Sequence, residues 1–278
     1  MAHDPFFPSS EGMSAPGWLV FDCESIPDGK LLNIVKYPTE TMTPEEAVAR
    51  AQAEARGSSG GSDFLPVTFQ LPIAISMLRI GVDFSLQALA CLDAPQYRPR
   101  TIIEQFWAGL VHYHQRFDGK VKMVTFNGRG FDLPLMEMAA FRYGLSAPDL
   151  LGSHHKRYDD WHLDLMDWLT NYGAIRLSGG LNLLARLLGK PGKMEVTGKK
   201  VYPMWREGKI TQINDYCLCD TLDTYFVFLR TRVMAGEISL TEEQALIRRT
   251  KNWLREQSAD FPALSEYVTN WQDWQPWP

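Results

Sequence analysis

Strand-like runs crowd the first half of this chain and long helical patterns fill the second. Trp18-Leu-Val-Phe-Asp22 is a short apolar run that ends in acid. The runs 73–80 and 86–92 flank Gly81-Val-Asp83, a hairpin signal. A fourth run, 121–126, closes on the polar turn Asn127-Gly128. Apolar residues recur at helical spacing over 101–117, 131–143, 162–170, 181–188, 210–234 and 242–256. Strands come first, then strand and helix alternate, then helices follow. That order predicts an α/β fold with a mixed central sheet flanked by helices and a helical C-terminal half.

A chain of 278 residues is one large domain or two small ones. With 45% hydrophobic and 22% charged residues it can bury a core, which excludes whole-chain disorder. The four cysteines are too few for a disulfide framework and are not spaced as a zinc cage. Cys217 and Cys219 sit in an apolar helical pattern, where packing is the expectation. The net charge of −5 gives no bulk attraction to a polyanion, so a nucleic-acid partner must be held locally. Residues 1–16 lack the basic-then-apolar pattern of a signal peptide, and the uncharged stretch 64–78 is too short and too polar to span a bilayer. A cytoplasmic location is expected. Thr43-Pro44 opens a helix that runs into Gly57-Ser-Ser-Gly-Gly-Ser62, so 37–63 is expected as a mobile insertion rather than a domain boundary. The expectation is one domain over 1–278 with its core at 18–234, followed by a helix and a Trp-rich tail over 242–278. The tail carries Trp271, Trp274 and Trp277 and is expected to dock as a strap.

Three acidic motifs follow one another. The first is Asp22-Cys-Glu24 at the end of the first strand. Residues two apart on a strand point the same way, so both carboxylates can reach one site. The second is Asn127-Gly-Arg-Gly-Phe-Asp132, where a strand stops at a Gly-rich turn and an acid opens a helix. This strand is expected beside the first. The third is Tyr216-Cys-Leu-Cys-Asp220, with phenol and carboxylate one helical turn apart on one face. Each motif alone also fits a bland reading: a solvated strand end, a helix cap, a surface pair. Their order and placement do not. Asp223 shares the face of Asp220 and is its rival.

On these residues the chain resembles the 3′–5′ exonuclease domain of family B DNA polymerases, of the DEDD superfamily and the ribonuclease H-like fold. More closely it resembles stand-alone bacterial proteins predicted to be exonucleases of that type. The resemblance spans residues 18–230 and includes no polymerase domain. It implies the tyrosine form of the superfamily. The histidine form would draw on His154-x4-Asp159 or His155-x4-Asp160, which lie 27 and 28 residues after Asp132, against 88 for Asp220. That leaves little chain between the motifs.

The resemblance implies a metal-dependent 3′–5′ exonuclease acting on single-stranded 3′ ends, DNA before RNA, and releasing nucleoside 5′-monophosphates. It implies two divalent cations, Mg²⁺ or Mn²⁺, held by Asp22, Glu24, Asp132 and Asp220, with Tyr216 orienting the attacking water. Asp132 would act largely through water. Asn127 and Phe131 are implied as substrate contacts. Hard cations with oxygen ligands suit phosphodiester hydrolysis, which places charge on attacking and leaving oxygens. The stretch 190–209 holds Lys190, Lys193, Lys199, Lys200, Arg206 and Lys209 against two acids, with Tyr202 and Trp205 as stacking rings. Lys199 and Lys200 are expected to hold the strand, with a solvated loop as the alternative reading of the stretch. For Asp164 and Asp167 a structural role in the helix is expected ahead of the alternative, accessory substrate contact. The alternatives are an exoribonuclease of the same fold and a nucleic-acid-binding module that has lost activity.

Overall fold

The first apolar run belongs to a longer strand, β1 (Pro16–Pro27), in the computed structural model, which describes residues 4–7, 13–58, 62–148, 150–151, 160–193 and 198–276. Asp28 caps a short helix, α1 (Gly29–Val35), by accepting the Leu31 amide. Helix α2 (Pro44–Ser58) follows, where the insertion was expected. It buries Ala47, Val48 and Ala51 against Leu32, Tyr37 and Leu65. Strands β2 (Gln70–Gly81) and β3 (Leu86–Cys91) form the expected hairpin. Then come α3 (Pro99–Arg116), β4 (Lys122–Thr125) and α4 (Asp132–Tyr143).

The pattern at 162–170 is not one helix. Its first three residues form β5 (His162–Asp164), and only α5 (Leu165–Thr170) is helical. Asp164 ends the strand and caps the helix through the amides of Met166 and Asp167. Helices α6 (Gly180–Leu187), α7 (Gly198–Arg206), α8 (Ile210–Met234), α9 (Leu240–Gln257) and α10 (Ala263–Thr269) complete the described chain. None of the described helices is long and apolar enough to cross a membrane.

The sheet order is β3-β2-β1-β4-β5. The β1–β2 and β2–β3 pairs are antiparallel, while β1–β4 and β4–β5 are parallel. This is the mixed sheet expected from the element order, with β4 beside β1, and it is consistent with a ribonuclease H-like exonuclease domain.

Alternation along β1 sends Leu19, Phe21 and Cys23 to a core shared with α3 and α4. Val20 faces the opposite core, built on α8 with α9 and α10. Helix α8 is buried along most of its length, because sheet and helices surround it. The tail docks on this core: Trp271 packs on Phe226, ring centroids 4.8 Å apart, and the Arg230 guanidinium lies 4.5 Å from the Trp274 ring. Trp277 lies outside the described residues.

Candidate active site

Asp22 and Glu24 continue the Val20 face of β1 and so look toward α8. The β1–β2 register slips between Glu24 and Ser25, and such a bulge ends strict alternation just past the second acid. On α8, Tyr216 and Asp220 stand one turn apart. One ligand oxygen from each of Asp22, Glu24 and Asp220 lies within 4.8 Å of the other two. The Tyr216 phenol and the Asp220 carboxylate are near enough for each to act on the other's ionisation.

Because β4 runs parallel to β1, its C-terminal end opens at the same edge of the sheet. The turn after it needs Gly128, where a Cβ would lie 2.2 Å from Thr125 Oγ1. Asn127 sits at φ +66°. Asp164 ties this turn to β5, accepting the amides of Asn127 (2.9 Å) and Arg129 (2.8 Å). The Arg129 side chain pairs with Asp167 at 2.8 Å. Both acids thus hold the turn, in line with the structural role expected of them. The turn delivers Asp132 as the first residue of α4.

Asp132 Oδ1 accepts the Cys23 amide at 3.2 Å and the Cys23 thiol at 2.9 Å. It stands outside the group of three, yet its charge acts on both Asp22 and Glu24. Cys23, read in the sequence only as the middle of D-x-E, therefore ties the first motif to the second. Phe131, half-buried, packs on the exposed ring of Phe64 with centroids 5.5 Å apart.

Burial first, and then the neighbouring acids, raise Asp22 and Glu24 well above the usual carboxylate range. Asp132 is pushed up to about 6 by burial, against the opposing pull of its bonds from Cys23. Asp220 is pushed up to about 6 by burial, with the Tyr216 hydrogen bond and the Lys193 ammonium opposing. The Lys193 charge also opposes the rise at Glu24. Burial, then the Asp220 charge, keeps the Tyr216 phenol protonated.

Asp223 points elsewhere. It is fully buried and accepts the Tyr267 hydroxyl at 2.6 Å, and burial pushes it up to about 8. His154, His155 and Asp159 lie outside the described residues. Lys199 and Lys200 are exposed on α7, where Tyr202 and Trp205 stack at 6.2 Å and 15°. Lys190 corrects the reading of the basic stretch: it is 1% exposed, its ammonium 4.2 Å from the Trp271 ring and 5.0 Å from that of Phe226. It offers no charge to a strand.

Phe64, Lys193 and Cys23 were missed in the sequence because their placement depends on long-range folding. Lys193 stands in the sequence as one of six basic residues and as the end of the family-like run Leu187–Lys193, neither of which places it near Glu24 and Asp220. The group of three is all carboxylate, with neither sulfur nor imidazole, and is short of positive charge. That donor set fits a hard divalent cation.

No curated protein matches the sequence. Residues 62–271 match the family described as predicted 3′–5′ exonucleases related to the exonuclease domain of PolB. Asp132, Tyr216 and Asp220 fall inside the matched span, and β1 with Asp22 and Glu24 precedes it. The match covers most of the chain, and the chain belongs to this family of predicted 3′–5′ exonucleases.

Proposed function

We propose that the protein removes nucleotides one at a time from single-stranded 3′ ends, DNA before RNA, and releases nucleoside 5′-monophosphates. The observation that carries this reading is the meeting of Asp22 and Glu24 from β1 with Asp220 from α8, within 4.8 Å. Asp22, Glu24, Asp132 and Asp220 would hold two divalent cations, Mg²⁺ or Mn²⁺. When bound, such ions supply positive charge for the attacking and leaving oxygens of the phosphodiester.

The chain's own residues divide the remaining work. Tyr216 stays protonated, so it positions the attacking water by hydrogen bonding rather than as a base. Asp132 has one oxygen committed to Cys23, which leaves the other to hold water toward the site. Asn127 and Phe131, on the turn before Asp132, contact the terminal nucleotide. Lys193 lends positive charge beside Glu24 and Asp220, where a phosphate would arrive. Lys199 and Lys200 hold the strand farther out.

End-labelled DNA and RNA oligonucleotides, digested with and without Mn²⁺, test the reading. Stepwise loss from the 3′ end of DNA, dependent on metal and absent in Asp22→Ala, is expected. Faster digestion of RNA would move the substrate to RNA. Digestion by Asp22→Ala at the parental rate would remove the assigned site.

A further inference from the structure

Outside the acid cluster, buried polar groups gather where the C-terminal segment crosses α8. Asp223, three residues beyond Asp220, takes the Tyr267 hydroxyl of α10 on one oxygen, while its buried Oδ2 has no partner among the described residues. Lys190 donates to the Leu188 carbonyl at 3.1 Å and rests against Trp271 and Phe226. Burial, with Lys251 adding repulsion, brings it down to about 7. Next to it the Gln272 amide donates to the Gly189 carbonyl at 2.8 Å. Gly189 has φ +71°, and a Cβ there would stand 2.4 Å from the Gln272 carbonyl oxygen. The two backbones can approach this closely only at glycine.

From Gly189 the chain needs four residues to reach Lys193. There the Lys193 amide donates to Asn182 Oδ1 of α6 at 2.8 Å. The segment 189–193 is thus pinned at one end by residues 271 and 272 and at the other by α6. It carries the ammonium that acts on Glu24 and Asp220.

We propose that the C-terminal segment 267–272 is a brace for the active site, in which Trp271 and Lys190 are positioning residues that fix the segment carrying the exposed Lys193 near the acid cluster. The brace rests on the nuclease reading for its purpose but not for its geometry. A buried ammonium is costly without partners, so Lys190 keeps its place only while the Trp271 ring and the Leu188 carbonyl cover it. Release of Trp271 would open the cage, free residue 189 and let Lys193 drift from the acids.

Two measurements on the full chain test this. The first is hydrogen exchange. Trp271→Leu and the near-isosteric Lys190→Met should both lose protection at the amides of Lys190, Lys193 and Gln272 while α8 keeps its own. The second is a double-mutant cycle on the affinity for a labelled single strand in EDTA, where nothing is cleaved. Lys190→Met should weaken binding about tenfold in the parent and change nothing further in Lys193→Ala. Unchanged protection at the Lys190, Lys193 and Gln272 amides overturns the brace, and so do penalties that add in the cycle. If the parent binds no strand and digests none, the nuclease reading fails, and the exchange result decides the brace by itself.

Discussion

Asp220 is buried on α8 with Asp22 and Glu24 beside it, and few contacts offset that placement. Its carboxyl is pushed from the ordinary 3.8 up to about 6, chiefly by burial. Between those values the folded state binds a proton that the unfolded state does not. The stability owed to this group is therefore present below about pH 4 and lost as pH rises through about 6. Asp220→Asn removes the titration. In EDTA, the Tm of the variant minus that of the parent should grow between pH 4 and pH 7. A difference flat across that range would show that the carboxylate is under no strain. Tyr216→Phe is a milder change. It keeps the ring and all four acids and removes one positioned hydroxyl. A loss of about 10²–10⁴-fold in single-turnover cleavage is expected, with Mn²⁺ affinity nearly intact. A rate equal to the parent's would remove Tyr216 from the reaction. The meeting of Asp22, Glu24 and Asp220 was readable in part, because spacing on one strand or one helix already puts side chains on one face. The link from Cys23 to Asp132 was not, since 109 positions separate the two.

Elements with a strong local period were the readable ones. Helix α8 spans the residues its pattern predicted, and the β2–β3 hairpin announced itself by its turn. Strand β5 was hidden because three residues are too few to show alternation, and they run without a break into α5. Helices α7 and α10 were not anticipated. Each is short, and α7 holds Pro203 within it. The basic stretch was misread at Lys190 for a related reason, since charge in a sequence carries no sign of which side it will face. The β4–α4 turn is where an element sets the chemistry. Thr125 Oγ1 accepts the Gly128 amide at 3.1 Å, and Asp164 holds the amides on either side. Gly128→Ala drives a methyl into Thr125, and overpacking of this kind costs about 1–3 kcal/mol. The start of α4 must then shift, and Asp132 with it. Activity should fall far more than stability: a folded protein by circular dichroism with cleavage reduced at least tenfold is the expected pair. Full activity in a destabilised Gly128→Ala would mean that the turn does not place Asp132.

For the whole molecule, the question is how a chain with net charge −5 and a raised acid cluster gathers a polyanion. Bulk charge repels the strand, so attraction has to be local and the approach must be salt-sensitive. With Lys190 buried and Arg129 paired with Asp167, the described basic side chains near the site include Lys193 near the acids and those of α7, where Lys199 and Lys200 are exposed. The stacked Tyr202 and Trp205 on the same helix offer a face to a base, so charge and stacking share one element. On a single strand each phosphate neutralised contributes about 0.7 to the slope of log affinity against log salt. If Lys199 and Lys200 each neutralise one phosphate, their joint replacement by Glu should lower the magnitude of that slope by about 1.4. Binding should weaken most at low salt, where counterion release counts most. Cleavage of saturating substrate should change far less, because the acids and Tyr216 are untouched. Fluorescence anisotropy of a labelled single strand in EDTA at several salt concentrations gives the slope, and single-turnover digestion gives the rate. An unchanged slope would make α7 a solvated face and leave Lys193 as the positive charge that meets the strand. A collapsed rate with an unchanged slope would instead place Lys199 or Lys200 in the chemistry, against the exposed position both have on α7.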